Sequence, residues 1–179
     1  VLRKQFNRHM KTRDYAHGWE VERSRIAAMT HAILEREGLT RNPNLRPNQN
    51  DSRVARVLAN YLRDNFYYSL NSPPVSSGRD PTVAFLFDHR SGHCELFAGA
   101  LAAMTRSIGM RCRVITGYRA GEFNKLAGYY VVRQRHAHAW NEVDCGPDLG
   151  WKTFDATPPA AVNAEHGTGS ASWTHLARE

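Results

Sequence analysis

Apolar residues in the first 109 positions of the chain recur at the three- and four-residue steps of amphipathic helices. The pattern predicts three helices, over residues 19–37, 51–66 and 94–109. In the third helix the apolar face is formed by Phe97, Leu101, Met104 and Ile108. The stretches between the helices, residues 40–50 and 69–80, are rich in Pro, Asn and Ser without periodicity, which predicts loops.

After residue 109 the pattern changes to short runs rich in β-branched and aromatic residues, which predict strands. The runs are residues 112–118, 128–134, 136–143 and 150–157. A block of helices followed by a block of successive strands is typical of an α+β domain. We therefore expect a mainly antiparallel sheet packed against the helix that begins at Cys94.

The order of these elements predicts one core domain over residues 51–160. Residues 1–50 are expected to form a basic helical extension and a linker, and the Ala-, Ser- and Gly-rich residues 161–179 a loosely ordered tail. The chain starts with Val1, so we treat it as a mature product or a piece of a longer chain. It has no secretion signal and no run of about 20 apolar residues. We expect a cytoplasmic protein or the soluble domain of a membrane-anchored one.

The net charge of +7 is concentrated at the N-terminal end of the chain. Residues 1–63 contain 13 Lys and Arg against 6 Asp and Glu, whereas residues 64–179 contain 11 of each. The basic residues alternate with acidic and apolar helix positions, and no aromatic-plus-basic motif accompanies them. This pattern favours a solvated helical surface over nucleic-acid binding. Docking of the basic region on an anionic surface stays an alternative.

Cys94 is the first candidate for chemistry because it lies in the first turn of the third predicted helix. The N–H groups and the partial positive charge of a helix N-terminus stabilise a thiolate and so lower the pKa of the thiol. The same N–H groups can receive the oxyanion that forms when sulfur attacks a carbonyl. The alternative is that Cys94 is a small apolar filler of the core.

His138 and Asp155 are the candidate partners of Cys94. His138 lies on the predicted strand 136–143, and Asp155 lies near the end of the next strand. A histidine beside a thiol can take its proton, and a carboxylate bonded to the imidazole fixes its tautomer and orientation. The order Cys, His, Asp on a helix start and two successive strands therefore favours nucleophilic catalysis, although each residue alone is compatible with a structural role.

Three stretches of the sequence resemble the core of the transglutaminase-like superfamily. They are SGHCELFAGALAAMTRSIGMRCRVITGY (91–118), AHAWNEV (137–143) and GWKTFDATP (150–158). The family pattern is Gly-x-Cys at the start of a helix, then Arg-Val-x-x-Gly-Tyr, His-Ala-Trp and Asp-x-Thr. The resemblance covers about residues 52–159. The sequence resembles the bacterial branch of this superfamily most closely. Members of that branch are often soluble parts of membrane-anchored proteins.

The resemblance implies a papain-like site that needs no cofactor. Cys94 would be the nucleophile, His138 the general base and then acid, and Asp155 the residue that orients His138. The reaction would be thiol-dependent acyl transfer on a protein or peptide substrate, at a glutamine side chain or a peptide bond, through a thioester. An amine acceptor would give transamidation and water would give hydrolysis, which we expect to compete well.

The resemblance also implies an oxyanion site made of the cysteine N–H and an upstream side chain, for which Tyr67 and Tyr68 are the candidates. His93 is expected to line the cleft. Trp140 is expected to pack beside the imidazole and shield it from water. His136 is expected to contact the substrate or to lie on the surface.

Two hypotheses of other classes stay open. One is a zinc site on Cys94, His136, His138 and Cys145. The spacings of these residues match no common zinc motif. The other is a non-catalytic binding or scaffold module with the same fold. Such family members usually lose a residue of the catalytic set, whereas this chain keeps all three.

Overall fold

The computed structural model describes residues 12–42, 44, 50–72, 74, 78–119 and 122–159. Its helices are α1 (Thr12–Arg36), α2 (Asp51–Asn65), α3 (Pro81–Ala84) and α4 (Cys94–Ser107). A π-helical turn (Phe85–His89) follows α3, and a 3₁₀ turn (Gln134–His136) precedes the sixth strand. The strands are β1 (Tyr67–Tyr68), β2 (Ser91–Gly92), β3 (Cys112–Tyr118), β4 (Glu122–Asn124), β5 (Tyr129–Val131), β6 (Ala137–Asp144) and β7 (Trp151–Phe154).

The main sheet consists of three antiparallel strands in the order β3-β6-β7. In its central strand, β6, His138 pairs with Gly117 of β3, and Asn141 pairs with Phe154 of β7. Two smaller pairs complete the strands: β1 lies parallel to β2, and β4 forms an antiparallel hairpin with β5. The predicted α+β class with a mainly antiparallel sheet is confirmed.

Helix α4 is the central element of the core because it contacts α1, α2, β3 and β6. Its apolar side chains are fully buried at the positions that the spacing predicted, namely Phe97, Leu101, Met104 and Ile108. Burial of each such side chain stabilises the fold by about 1.5–3 kcal/mol. The packing of this face determines where the N-terminus of α4, and with it Cys94, lies.

The segment that leads into α4 has a constrained backbone. The π-helical turn ends at Arg90, whose φ of 51° and ψ of 25° lie in the left-handed region and direct the chain into β2. Gly92 of β2 is buried, and a Cβ atom there would lie 2.4 Å from Leu96 Cδ1 and 3.2 Å from Phe85 Cδ2. A glycine therefore lets β2 pass closely over the first turn of α4.

The structure differs from the predicted elements mainly where segments are short or polar. Helix α1 begins at Thr12, well before the predicted residue 19, because its first turns carry polar residues that can be helical without an apolar period. The elements α3, β1, β2 and β4 are too short to show a period and are not predicted. The predicted strand 128–134 is limited to Tyr129–Val131.

Several expectations about the ends of the chain concern residues outside the described ranges. The predicted tail, residues 161–179, lies there, and so do residues 1–11 and 45–49 of the predicted extension. Within the described residues, no helix combines the length and the apolar character needed to cross a bilayer. Helix α1 has 25 residues, but charged residues interrupt its apolar positions.

A buried ion pair connects the segment before α2 to the first residue of that helix. Nε of Arg41 donates to Oδ1 of Asp51 at 2.8 Å, and both side chains are 0% exposed. Leu34 of α1 and Leu39 belong to the same buried cluster as the apolar residues of α2. Residues on both sides of position 50 therefore share one core.

Replacement of Asp51 by alanine should lower the free energy of unfolding by about 3–5 kcal/mol, because it leaves the Arg41 charge buried without its carboxylate. Asp88→Ala is the matched control. The Arg79–Asp88 pair spans 2.8 Å, but both side chains are 37% exposed, so its loss should cost about 1 kcal/mol or less. Urea unfolding monitored by circular dichroism measures both. Equal losses in the two variants would contradict the assignment of Arg41–Asp51 as a stabilising contact.

Candidate active site

Cys94 is the first residue of α4, so its side chain lies at the positive end of the helix dipole. His93 occupies the N-cap position, and its side chain makes no capping hydrogen bond. In the first turn of α4 the Leu96 N–H already donates to the His93 carbonyl at 3.0 Å. The N–H groups of Cys94 and Glu95 are therefore the ones that can face an acceptor in front of the helix. The thiol itself is half-buried. It is therefore accessible and lies in a field that favours negative charge.

His138 is the second residue of β6 and lies next to Cys94. Its Nε2 is 2.8 Å from Oδ2 of Asp155, and the Cys94 sulfur is a second hydrogen-bonding partner of the ring. Nδ1 is therefore the ring nitrogen that remains for the sulfur. The His138 side chain is only 4% exposed, so little water competes for it. The structure thus brings the three predicted residues into one line of sulfur, imidazole and carboxylate.

Asp155 directly follows β7 and is held by its own loop and by α2. Its Oδ1 accepts a hydrogen bond from the Thr157 backbone N–H at 2.9 Å, and the Arg63 guanidinium donates to its main-chain carbonyl. Burial alone raises the pKa of Asp155, but the hydrogen bond and charge of His138 and the hydrogen bonds from Thr157 outweigh burial and lower the pKa. Asp155 is therefore a carboxylate at neutral pH.

The surroundings of His138 stabilise its protonated form. Burial alone lowers the pKa of His138, but hydrogen bonds to Asp155 and Cys94 and the charge of Asp155 raise the pKa from 6.5 to about 9. Because this folded-state pKa lies above the ordinary value, protonated His138 stabilises the fold fully below pH 6.5, and the contribution is lost as the pH rises through about 9. At neutral pH the imidazole is an imidazolium that can pair with a thiolate.

Arg119 is a fourth charged group of the site, and the sequence analysis does not single it out. It directly follows β3, and its Nη2 lies 3.7 Å from Oδ2 of Asp155. Its side chain is 16% exposed. The pairing register of β3 with β6 is the feature that would indicate Arg119. Gly117 pairs with His138, and residue 119, two positions further, projects from the same face of the strand.

A buried amide links the strand that carries His138 to the helix that carries Cys94. Asn141 of β6 is 0% exposed, and its Nδ2 donates to the main-chain carbonyl of Ala98 at 2.9 Å. Ala98 lies about one helical turn after Cys94, and Asn141 lies three residues after His138. The contact therefore fixes the position of β6 along α4, and with it the separation of the two reactive side chains.

An open cleft of about 520 Å³ adjoins the sulfur and the imidazole. Its wall consists of Tyr68, Leu70, His93, Cys94, Glu95, Thr116, Gly117, Gln134, Arg135, Ala137, His138 and Ala139. The Tyr68 ring stacks on Phe97, with ring centroids 6.3 Å apart. Tyr67 is 77% exposed and lies outside the described wall. Of the two tyrosines considered for the oxyanion, only Tyr68 therefore faces the reaction space.

Trp140 covers one side of the imidazole. The rings of Trp140 and His138 stack at an interplanar angle of 23°, with centroids 6.1 Å apart. Gly117 lies beneath the indole, and a Cβ atom at this position would be 2.9 Å from Cη2 of Trp140. The missing side chain at Gly117 therefore makes room for the indole, which limits the access of water to His138.

His136 does not lie where the sequence analysis expects it. It belongs to the 3₁₀ turn before β6 and is 1% exposed, so it is not a surface residue, and it lies outside the described cleft wall. Its Nδ1 accepts a hydrogen bond from the Arg133 backbone N–H at 3.1 Å. The expectation is wrong because this turn interrupts the alternation assumed for residues 136–143.

The other two cysteines, Cys112 and Cys145, are buried free thiols outside the described cleft wall. Burial raises the pKa of both thiols, so they stay protonated at neutral pH. In the part of the chain that the structure describes, no group of three or more His, Cys, Asp or Glu side chains is placed to hold a metal ion. The zinc hypothesis therefore gains no geometric support.

The geometry contains the parts required for nucleophilic acyl substitution. A sulfur lies at a helix N-terminus, an imidazole can exchange a proton with it, and a carboxylate orients the imidazole. The adjoining cleft is large enough to admit a side chain or a segment of peptide. Such a site can attack a carbonyl, hold the acyl group as a thioester and pass it to a second nucleophile.

The chain belongs to the transglutaminase-like superfamily. Residues 40–156, more than half of the chain, match the family model with that description. The resemblance inferred from the three sequence stretches is therefore confirmed. The matched region includes Cys94, His138 and Asp155.

Particular relatives can be named for parts of this chain. The chain is 41% identical over 104 residues to a protein-glutamine gamma-glutamyltransferase of Pseudomonas aeruginosa. The aligned region covers 58% of this chain and 15% of that relative. The chain is 33% identical over 108 residues to the uncharacterized protein YebA of Bacillus subtilis, covering 57% of this chain and 14% of YebA. The chain thus spans only a small part of these relatives.

A solved structure supports the same fold. The periplasmic domain of TgpA from Pseudomonas aeruginosa, bound to ethylmercury, matches with a TM-score of 0.62 and 30% sequence identity. The match covers 78% of this chain and 47% of the TgpA chain. The helix and sheet arrangement described above is therefore that of a transglutaminase-like domain.

Replacement of Asp155 by asparagine should lower the pKa of His138 from its value of about 9 by about one unit or more, because the burial effect is then opposed by less negative charge. Titration of the imidazole nitrogens by NMR measures this shift. Asp148→Asn, in an exposed turn, is the matched control and should leave the titration unchanged. An unaltered His138 pKa in Asp155→Asn would show that the carboxylate does not determine the charge of the imidazole.

Proposed function

We propose that this domain catalyses thiol-dependent acyl transfer on protein or peptide amides, with Cys94 as nucleophile, His138 as general base and acid, and Asp155 as the orienting carboxylate. The observation that carries the proposal is the continuous sulfur–imidazole–carboxylate contact at the start of α4. Membership of the transglutaminase-like superfamily supports the same chemistry.

In the first half-reaction, the Cys94 thiolate, whose proton His138 already holds, attacks the carbonyl carbon of an amide. The negative charge moves to the carbonyl oxygen, where the N–H groups of the first turn of α4 can stabilise it. The carbon–nitrogen bond then breaks, and the leaving nitrogen takes the proton from His138. The acyl group remains on Cys94 as a thioester.

In the second half-reaction, an amine or water attacks the thioester and gives up a proton to His138. The carbon–sulfur bond breaks, which regenerates the thiolate beside the imidazolium. An amine acceptor yields a new amide, and water yields a carboxylate. The cleft beside Cys94 is open to solvent, which favours hydrolysis unless an amine occupies it.

The acyl donor we propose is the carboxamide of a glutamine side chain within a protein or peptide. The name of the Pseudomonas aeruginosa relative, a protein-glutamine gamma-glutamyltransferase, supports this donor, although the match covers 15% of that relative. The donor that competes with it is a peptide bond, which the same half-reactions would cleave. Both donors place the attacked carbonyl against the sulfur.

The context we propose is a longer, membrane-anchored protein in which this chain forms the acyl-transfer domain. The match to the periplasmic domain of TgpA, of which this chain covers 47%, supports such a context. Residues 51–160 are the proposed catalytic core, and α1 packs against them in the same buried cluster. A non-catalytic scaffold is the second candidate, but no observation favours it, because the three reactive side chains are in contact.

Cys94→Ala should abolish product formation, because the other two thiols, Cys112 and Cys145, are buried and lie outside the described cleft wall. The assay incubates the protein with a glutamine-containing peptide, with and without a primary amine, and identifies deamidated, amidated or cleaved products by mass spectrometry. Cys112→Ala is the matched control, since Cys112 is a buried thiol outside the cleft wall. Undiminished turnover by Cys94→Ala would refute the mechanism.

Tyr68→Phe should reduce kcat by about tenfold or more if the Tyr68 hydroxyl stabilises the oxyanion. Phenylalanine keeps the ring that stacks on Phe97, so the fold should be unchanged. Tyr67→Phe, at a residue outside the described wall, is the matched control. Equal kcat values for wild type and Tyr68→Phe in the glutamine-peptide assay would exclude Tyr68 from the mechanism.

A further inference from the structure

A cation faces both the nucleophile and the carboxylate of the site, and the mechanism above gives it no step. The Arg119 guanidinium interacts electrostatically with Asp155 and with Cys94, and its Nη2 lies 3.7 Å from Oδ2 of Asp155. Burial lowers the pKa of Arg119, and the charges of Asp155 and Cys94 oppose this effect without cancelling it. An arginine ordinarily titrates above about 12, so Arg119 stays charged where a cysteine and a histidine titrate.

We propose that Arg119 is a positioning residue that sets the charge balance of the site: its guanidinium compensates the Asp155 carboxylate and thereby favours the thiolate of Cys94. This inference rests on the proposed function, because the thiolate it concerns is the proposed nucleophile. It adds to that function a residue outside the Cys94–His138–Asp155 line.

The net charge of the site determines which protonation state is favoured, because little water enters the site. With Arg119 present, the state that contains a thiolate, an imidazolium and a carboxylate carries no net charge. With a neutral residue at this position, the same state carries one negative charge beside a histidine side chain that is 4% exposed. A net charge is costly in such surroundings. The Cys94–His138 pair can lose two protons in succession. Loss of the Arg119 charge disfavours both of these deprotonations, regardless of whether the sulfur or the imidazole releases its proton first.

Other charged groups lie near the site, but none of those named here acts on the carboxylate, the imidazole and the sulfur as Arg119 does. They are Arg63, His93, Glu95 and Arg135. Arg63 donates to the main-chain carbonyl of Asp155 rather than to the carboxylate. Glu95 and Arg135 are exposed, so solvent screens their charges. Arg119 differs because it is largely buried and acts on the sulfur, the imidazole and the carboxylate together.

A purely structural role for Arg119 predicts the opposite change in His138. If the 3.7 Å contact only held Asp155 in place, its loss would weaken the bond between Asp155 and the imidazole and would lower the pKa of His138. If Arg119 acts through its charge, which lowers the pKa of His138, its loss raises that pKa. The direction of the change therefore separates the two roles.

The test measures the rate of Cys94 alkylation by iodoacetamide as a function of pH, with modification of Cys94 alone counted by peptide mass spectrometry. The variants are Arg119→Gln and Arg119→Met, which remove the charge, and Arg119→Lys, which keeps it. Arg113→Gln is the matched control, because Arg113 lies on the preceding strand and pairs with Glu142 at 2.6 Å. Circular dichroism verifies that each variant is folded, and the methionine variant keeps an apolar stem if glutamine disturbs packing.

Removal of the charge should move both inflections of the pH–rate profile upward by about 0.5–1 pH unit, so that alkylation below the lower inflection slows about three- to tenfold. Arg119→Lys and Arg113→Gln should keep the wild-type inflections. Unchanged inflections, or a downward shift of the upper one, in the folded charge-removing variants would overturn the role of Arg119 alone. If wild-type Cys94 reacts no faster than an ordinary thiol, the proposed function fails as well.

Discussion

The candidate site depends on one contact, the approach of the Cys94 sulfur to the His138 imidazole. Cys94 begins α4 and His138 lies in β6, with β3 and the β4–β5 hairpin between these two elements in the chain. Neither local backbone geometry nor helix propensity therefore brings the two residues together. Packing does so. The apolar face of α4 fixes the helix in the core, and the Asn141–Ala98 hydrogen bond fixes β6 along it. The chemistry therefore rests on the same contacts that stabilise the fold.

Electrostatics then determines which protonation state this contact has. Burial alone would keep His138 neutral, but the Asp155 carboxylate and the Cys94 sulfur stabilise the imidazolium and raise the pKa to about 9. The backbone N–H of Thr157 and the Arg63 guanidinium hold Asp155 at the end of β7. Arg119 brings a positive charge to the same carboxylate. Two positive and two negative charges thus compensate one another. This compensation stabilises a thiolate–imidazolium pair in a site with little water.

Much of this arrangement can be predicted from the sequence, because the responsible patterns are local. The period of Phe97, Leu101, Met104 and Ile108 predicts both α4 and its buried face. The sequence stretches around Cys94, His138 and Asp155 predict the three candidate catalytic residues, and the structure brings these residues into contact.

What the sequence does not predict depends on contacts between distant elements. Arg119 and Asn141 have ordinary local surroundings, and their roles follow only from the register of β3 with β6 and from the packing of β6 on α4. His136 fits the predicted strand but lies in a 3₁₀ turn, because a single 3₁₀ turn leaves no trace in an alternating pattern. The start of α1 is missed because its first turns carry polar residues without an apolar period.

The central claim is that Cys94 is a thiolate beside an imidazolium at neutral pH, and the thiolate's ultraviolet absorbance measures this most directly. The difference in absorbance between wild type and Cys94→Ser, followed across pH, reports the ionisation of this one sulfur. We expect thiolate absorbance at neutral pH in the wild type and its loss at neutral pH in His138→Gln, because the imidazolium is the counter-ion of the thiolate. A difference that develops only near the ordinary thiol pKa, and that does not depend on His138, would contradict the account.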